Sequence, residues 1–380
     1  MMNFMISKLK LISIFSLIAG LCLAAPMVTV AQELHEDLQA ILQAKVIEVV
    51  SEKETVLSGT NNNALNQTLR IEILSGSKQG EFITLENDYI KLKPGDKFFL
   101  YYLKTINGDE IYTVGDYDRR LSLLFIVGLF IAVVIFFGGW QGARSLISLL
   151  GSFLVILYIL IPGLLGGLNP ILLSAVVAGV ILFSAIFFTH GFNKESIVAF
   201  SGTMIAVGLT ITLAIISVAI ANLTGFSSED SVYLNIKTGG TLDFTGLLLG
   251  AIIIGVLGVL DDIAVTQAAV VTELYHSNKE LRTAEIYKKA LRIGREHVGA
   301  LVNTLVLAYT GAALPLLLLF SGASENFSML INREIFATEI VRTVIGSIGL
   351  ILTVPIVTAL AVYFLKDYKA QHHHSHHHSH

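Results

Sequence analysis

Two adjacent carboxylates, Asp261 and Asp262, stand inside an apolar run long enough to enter a bilayer. Residues 250–275 read GAIIIGVLGVLDDIAVTQAAVVTELY. Charge at that depth is expensive, so it marks an ion pathway, a proton relay or a buried pair. Two neighbouring carboxylates resist carrying both charges at once, which suits proton exchange or a cation that replaces the proton. On this reading Asp262 is the principal ligand and Asp261 its neighbour, with Thr266, Gln267, Asn303 and Thr304 as auxiliary oxygen donors. The identity of any metal stays open.

The element that must position the pair is a helix. If it is continuous, Asp262, Thr266 and Glu273 share one face. Counted from Asp243, the pair lies about 27 Å along it, and a helix on to Tyr275 runs about 48 Å, too long to cross squarely. Either it tilts and projects, or it breaks near Gly258 and gathers backbone groups and carboxylates as broken transporter helices do. A third reading makes the pair the cap of a second helix that starts at Ile263.

The rest of the chain fits a membrane setting. Hydrophobic residues make up 54% and charged residues 14%, which argues against a soluble enzyme. Apolar runs predict spans near 121–139, 143–164, 170–189, 196–222, 244–274, 298–320 and 340–365. The single Cys22 excludes an internal disulfide and a Cys-rich metal site. The small net charge of -4 suggests no nucleic-acid partner. No zinc-binding His-Glu-x-x-His, P-loop or Gly-x-Ser-x-Gly occurs, and an aspartyl protease would need its two aspartates on facing helices. The expectation is therefore no enzyme and no cofactor.

Lys8 and Lys10, an apolar core from Leu11 to about Leu23 and small residues after it form signal-peptide grammar over residues 1–31, with cleavage near Ala25 or Ala31, or else an uncleaved signal anchor. Residues 32–120 are polar and strand-like. Leu69, Ile71 and Ile73 alternate, Phe82, Thr84 and Glu86 alternate, and Asn107-Gly108-Asp109 is a hairpin signal. Five short strands predict a small β-barrel-like domain of OB or SH3 type. A helix-like segment over 34–42 packs beside it or leads in. No aromatic stripe suggests nucleic-acid binding. The His-rich tail over 368–380 reads as a tag or a metal-binding tail.

Loop charges orient the spans. With the β domain outside, one side holds Arg144, Lys194, Lys279, Arg282, Lys288, Lys289, Arg292 and Arg295, plus Lys366 and Lys369, and the other holds Lys237, Arg333 and Arg342. That obeys the positive-inside rule and puts the C-terminus in the cytoplasm of a bacterial cell, with the chain in its inner membrane. The basic stretch 277–296 has an amphipathic pattern that lies on the inner surface or simply connects spans. Residues 194–205 and 295–306 begin alike, Glu, Ala and Thr coinciding after a basic residue, which suggests a parallel repeat. Gly202, Gly250, Gly255, Gly258, Gly299 and Gly311 allow close helix packing. Thr203 and Thr210, seven apart, can return their hydroxyl bonds to their own helix.

The segments Gly255 to Gln267 and Gly294 to Tyr309, with Gly191-Phe192-Asn193-Lys194 and the Ile73-Leu74-Ser75-Gly76 turn, resemble the YibE/F-like bacterial membrane proteins. The resemblance takes in nearly all of the chain after the signal segment. It implies an exported N-terminal domain followed by a multi-span helical region over 121–367, and it implies no activity. Asp262 matches the family's acidic position.

The expected fold is an α-helical polytopic membrane protein of about seven spans with an extracytoplasmic β-barrel-like domain. The expected function is a membrane transporter or channel for a cation or a proton-coupled small solute. The alternative is a non-transporting assembly or sensory protein whose exported domain binds a protein partner. The bilayer is a partner in either case, and an oligomer is open.

Overall fold

The computed structural model describes residues 38–56, 63–105, 108–277, 280–321 and 326–366. Residues 1–31, read from the sequence as a signal segment, and the His-rich tail lie outside them. The chain divides into two compact units, one over 29–137 and the other built from 138 onward.

The first unit is an antiparallel five-stranded sheet: β1 (Leu38–Val56), β2 (Asn63–Ile73), β3 (Phe82–Asn87), β4 (Lys97–Lys104) and β5 (Glu110–Tyr117). Its strand order is β3-β2-β1-β4-β5, and the two edge strands approach each other without pairing, which makes a half-barrel. Alternation decides what is inside. Leu69, Ile71 and Ile73 of β2 are fully buried against Leu42, Ala44 and Val46 of β1 and Phe98 and Leu100 of β4. Phe82, Thr84 and Glu86 form the outer row of β3, and Leu85 and Asn87 the inner. The apolar doublets Val46-Ile47 and Val49-Val50 break the alternation, and the sheet absorbs them as register shifts at Val46/Glu48 and Val49/Ser51.

One expectation is corrected here. Residues 38–42, read as helix-like, are strand: Leu38 to Leu42 pair with Lys104 to Leu100 of β4. Leu, Gln and Ala are good helix formers, but propensity is worth only roughly tenths of a kcal/mol per residue, and the ladder on β4 with a buried Leu42 overrides it.

A polar knot holds the loop after β3. Gln67 Nε2 donates to the Leu92 carbonyl at 3.0 Å, Leu92 N–H donates to Gln67 Oε1 at 2.9 Å, and Asn87 Nδ2 donates to the same Oε1 at 3.0 Å. On the surface, Glu110 accepts from Lys78, from Tyr102 Oη at 3.0 Å and from Tyr112 Oη at 2.9 Å. The bond from Lys78, then that from Tyr112, holds the Glu110 carboxyl down at about 2. Asp118 sits at about 2 through its bond from Arg120, and Glu52 is lowered by its bond from Lys91. Carboxyls depressed on folding contribute stability above their ordinary range near 4.5 and lose it as the pH falls toward about 2. Residues 32–120 expressed alone are expected to give a strand-type circular dichroism spectrum at neutral pH and to lose stability steadily from pH 4.5 to 2. Acid melting midpoints that stay flat over that interval would contradict the carboxylate assignment. Lys78 is raised by Glu110, so its contribution disappears only in strong alkali.

The second unit is helical. Helix α1 (Arg120–Val155), whose residues up to 137 belong to the first unit, leads into a π turn (Ile156–Leu160) and a short α2 (Ile161–Leu165). There follow α3 (Pro170–His190), α4 (Lys194–Ile220), α5 (Glu229–Lys237), α6 (Phe244–Ser277), α7 (Thr283–Ala312), α8 (Leu314–Ser321), α9 (Phe327–Ile331) and α10 (Glu334–Phe364). Among the described residues five helical stretches are long and apolar enough to cross a membrane: Arg120–Leu165, α3, α4, α6 and α10. Within α1 the backbone leaves helical geometry at Gly139, between the first two spans read from the sequence. Residues 298–320 are divided between α7 and α8 and are not among the five.

Helix α6 is the axis of this unit and packs on α3, α4, α7 and α10. Caps mark where its neighbours begin: Asn169 accepts from Leu172 N–H at 3.0 Å before α3, and Asn193 from Ser196 N–H at 2.7 Å before α4. Gly202 lets α4 approach Val357 of α10, and Gly250 lets α6 approach Ser174 of α3. Gly258, Gly299 and Gly311, expected to pack likewise, face open space. The basic stretch is more than a connector, because Ile286 and Ala290 of α7 are buried against Val198, Val271 and Val362. The two segments that begin alike differ in their local setting. Lys194 starts α4 behind its cap whereas Arg295 lies inside α7, and Thr203 is buried whereas Thr304 is exposed.

Candidate functional site

Helix α6 runs unbroken from Phe244 to Ser277, so it neither breaks at Gly258 nor restarts at Ile263. The reading of the Asp pair as a helix cap is therefore excluded. At the usual rise its 34 residues span about 51 Å, with the pair near the middle.

Helices α3 and α6 run parallel, with Pro170 beside Gly246, Ser174 beside Gly250 and, at the other end, His190 beside Asp262. The apolar sides of both helices close this interface along Leu182, Leu257 and Leu260. The second half of α1 joins it only from Val155 onward. Before that point a cavity of about 450 Å³ separates α1 from α3 and α6. Asp261, Asp262 and His190 line one wall, and Ser145, Ser148 and Ser152 of α1 line the other. A second cavity of about 290 Å³ lies between α6 and α7, lined by His190, Asp262, Thr266, Gln267 and His297. Asp262 and His190 border both.

Neighbouring positions on a helix differ by about 100°, and the Asp pair shows it. Asp261 is half-buried, and its Oδ1 accepts from the Asp262 N–H at 2.9 Å. Asp262 is exposed, on one outward face with Thr266 and Glu273. Neither carboxylate has an ion-pair partner among the described residues. Ser148 is buried, and its Oγ, which has almost no accessible surface, has no hydrogen-bond partner among the described residues. Ser152 Oγ donates to the Ser148 carbonyl at 3.0 Å, which leaves its lone pairs free to accept.

The other expected ligands separate. Gln267 is buried and committed: its Nε2 donates to the Ala290 carbonyl at 2.9 Å and to Thr358 Oγ1 at 2.7 Å, tying α6 to α7 and α10. Its role is structural first. Asn303 and Thr304 are exposed on α7 and line neither cavity, and Thr304 returns its hydroxyl to the Ala300 carbonyl at 3.0 Å. They stand apart from the two cavities that the Asp pair borders. Thr203 and Thr210 likewise bond to carbonyls one turn back, each at 2.8 Å. The serines of α1, His190 and His297 escaped the sequence reading. The spacing of Ser145, Ser148 and Ser152 within an apolar span is the signal that could have found the serines, since it sets three hydroxyls on one helical face. Among the described residues no three or more His, Cys, Asp or Glu are arranged to hold a metal ion.

At the other end of the bundle a carboxylate clasp closes the loop after α4. Glu334 Oε1 accepts from the N–H groups of Thr224 and Gly225, both at 2.7 Å, and Oε2 accepts from Thr224 Oγ1 at 2.8 Å. Phe226 stacks on Phe244 with ring centres 4.4 Å apart.

No curated protein and no solved structure matches the chain. A family described as YibE/F-like protein matches residues 126–367, which includes α6 and both cavities and leaves the β-sheet outside. The match covers well over half of the chain, and the protein is a member of the YibE/F-like family.

Proposed function

We propose that the helical unit is a membrane transporter or channel for a cation or a proton-coupled small solute, and that Asp261 and Asp262 are its intramembrane carboxylate site. The observation that carries this reading is an unpaired Asp pair midway along a continuous apolar helix, facing a cavity whose opposite wall is hydroxyl-rich. Carboxylates kept at such depth without a structural partner point to a moving or exchangeable ligand. Position of Asp262 between the two cavities supports a route past it, with His190 beside both. Flux of protons and cations into liposomes holding the full chain, parent beside Asp262→Asn, tests the reading.

In this reading the chain sits in a bacterial inner membrane with about seven spans. The Gly139 break separates the first two, and α7 with α8 supplies the sixth. The β unit lies outside and the C-terminus in the cytoplasm. The loop charges support that orientation. A cysteine placed at Ser277, exposed at the end of α6, is expected to react with an impermeant thiol reagent only after cells are opened. Reaction in intact cells would invert the topology.

A further inference from the structure

We propose that the cavity between α1 and α6 binds a hydrated, hard divalent cation, with the serine ladder of α1 as the half of the site that holds its water shell. This rests on the transport reading above and names its substrate class.

The donor set is the first argument. One wall supplies the carboxylates of Asp261 and Asp262, and the other the hydroxyls of Ser145, Ser148 and Ser152. Ser152 spends its proton on the Ser148 carbonyl, so toward the cavity it can only accept. Water bound to a cation donates hydrogen bonds outward, and acceptors on both walls match it. An anion would meet the two carboxylates there. Carboxylate and hydroxyl oxygens with water suit magnesium, calcium and manganese, and His190 is the one lining group that would favour a softer metal.

The second argument is Ser148. A buried hydroxyl with no partner carries a desolvation cost that a folded protein rarely leaves unmet. This one belongs to a residue that lines the cavity opposite the Asp pair. As the side chain stands its Oγ is closed off from the cavity, and a turn about χ1 would bring it to the cavity, where a ligand carrying donors would satisfy it.

The third is size. A bare ion needs ligands converging at about 2–2.6 Å, and no three acidic, His or Cys side chains converge here. The cavity of about 450 Å³ is far larger than a bare ion. Six waters at about 30 Å³ each fit inside it with room to spare. Ions of the magnesium type keep most of their waters and bind through one or two carboxylates, which is the number available. A divalent charge also offsets both carboxylates together when both are ionised.

The test uses the full chain in detergent and in liposomes, with manganese(II) as probe. Binding is read from loss of the free hydrated-ion electron paramagnetic resonance signal, and uptake from an internal dye. The parent is expected to bind manganese(II) and to release it to magnesium and to cobalt(III) hexaammine, an inert stand-in for a hexahydrated ion. Ser148→Ala with Ser152→Ala is expected to weaken manganese(II) binding by roughly 10–100-fold, the usual range for groups that act through a ligand shell. Ser148→Ala alone should melt no lower than the parent, because it removes an unpaired buried hydroxyl. A mere packing role for the serines would leave binding unmoved, and parental manganese(II) affinity in the double variant would overturn the ladder. Asp262-dependent flux of protons or sodium without manganese(II) or magnesium binding would overturn the substrate class and leave the transport reading standing. Parental flux in Asp262→Asn would remove the transport reading, and this inference with it.

Discussion

Asp262→Asn protein is expected to melt at or slightly above the temperature of the parent and to show cation or proton flux no greater than that of empty liposomes. The amide keeps the size and polarity of the carboxylate, and Asp262 has no ion-pair partner to lose among the described residues. A substitution that breaks a buried ion pair typically costs about 3–5 kcal/mol, and that cost is not expected here. Nor is a lost cap, since α6 passes through the position without a break. What disappears is the titratable charge at the meeting point of the two cavities. Melting and flux measured on one preparation separate the outcomes. Normal flux with normal melting would sink the ion site and favour the reading of the chain as an assembly or sensory protein. A melting point lowered by many degrees would show a structural partner for Asp262.

The largest loss of stability is expected from Gly225→Ala, far from the site. Gly225 lies in the clasp after α4 with φ +87°, a conformation that L side chains rarely adopt. A Cβ there would come within 2.2 Å of the Phe244 carbonyl oxygen, which is backbone and cannot step aside. Relief requires moving the loop off the start of α6, which pulls Thr224 and Gly225 N–H away from Glu334. Strain and overpacking together are worth roughly 3–5 kcal/mol. The apparent melting temperature should fall by on the order of 10 °C. Gly239→Ala is the control: its φ is +62° but nothing lies within 4 Å, so only the backbone strain of about 1 kcal/mol remains. Equal melting shifts for the two variants would mean that the close approach to Phe244 carries no weight.

Class and the positions of the most costly residues can be read along the chain alone. Membrane-length apolar runs are legible because hydrocarbon thickness sets a length, and Asp261 and Asp262 are legible because charge inside such a run is conspicuous. The inward row Leu69, Ile71 and Ile73 was legible because one buried face imposes a period of two. Which neighbours those residues meet follows from packing between distant segments. Leu38 to Leu42 became strand through pairing with β4, a partner some 60 residues away in the chain. One continuous α6 turned Asp262 outward and Gln267 inward, although both are polar and five positions apart. Gly202 and Gly250 meet a facing helix, while Gly258 and Gly299 do not. The serines of α1 gained meaning only when the helix stood away from α3 and α6 and left a space between them. Composition and periodicity state what one element can present. Rotation about a helix axis and distance between helices state what it is presented to, and those are set by packing among segments far apart in the chain.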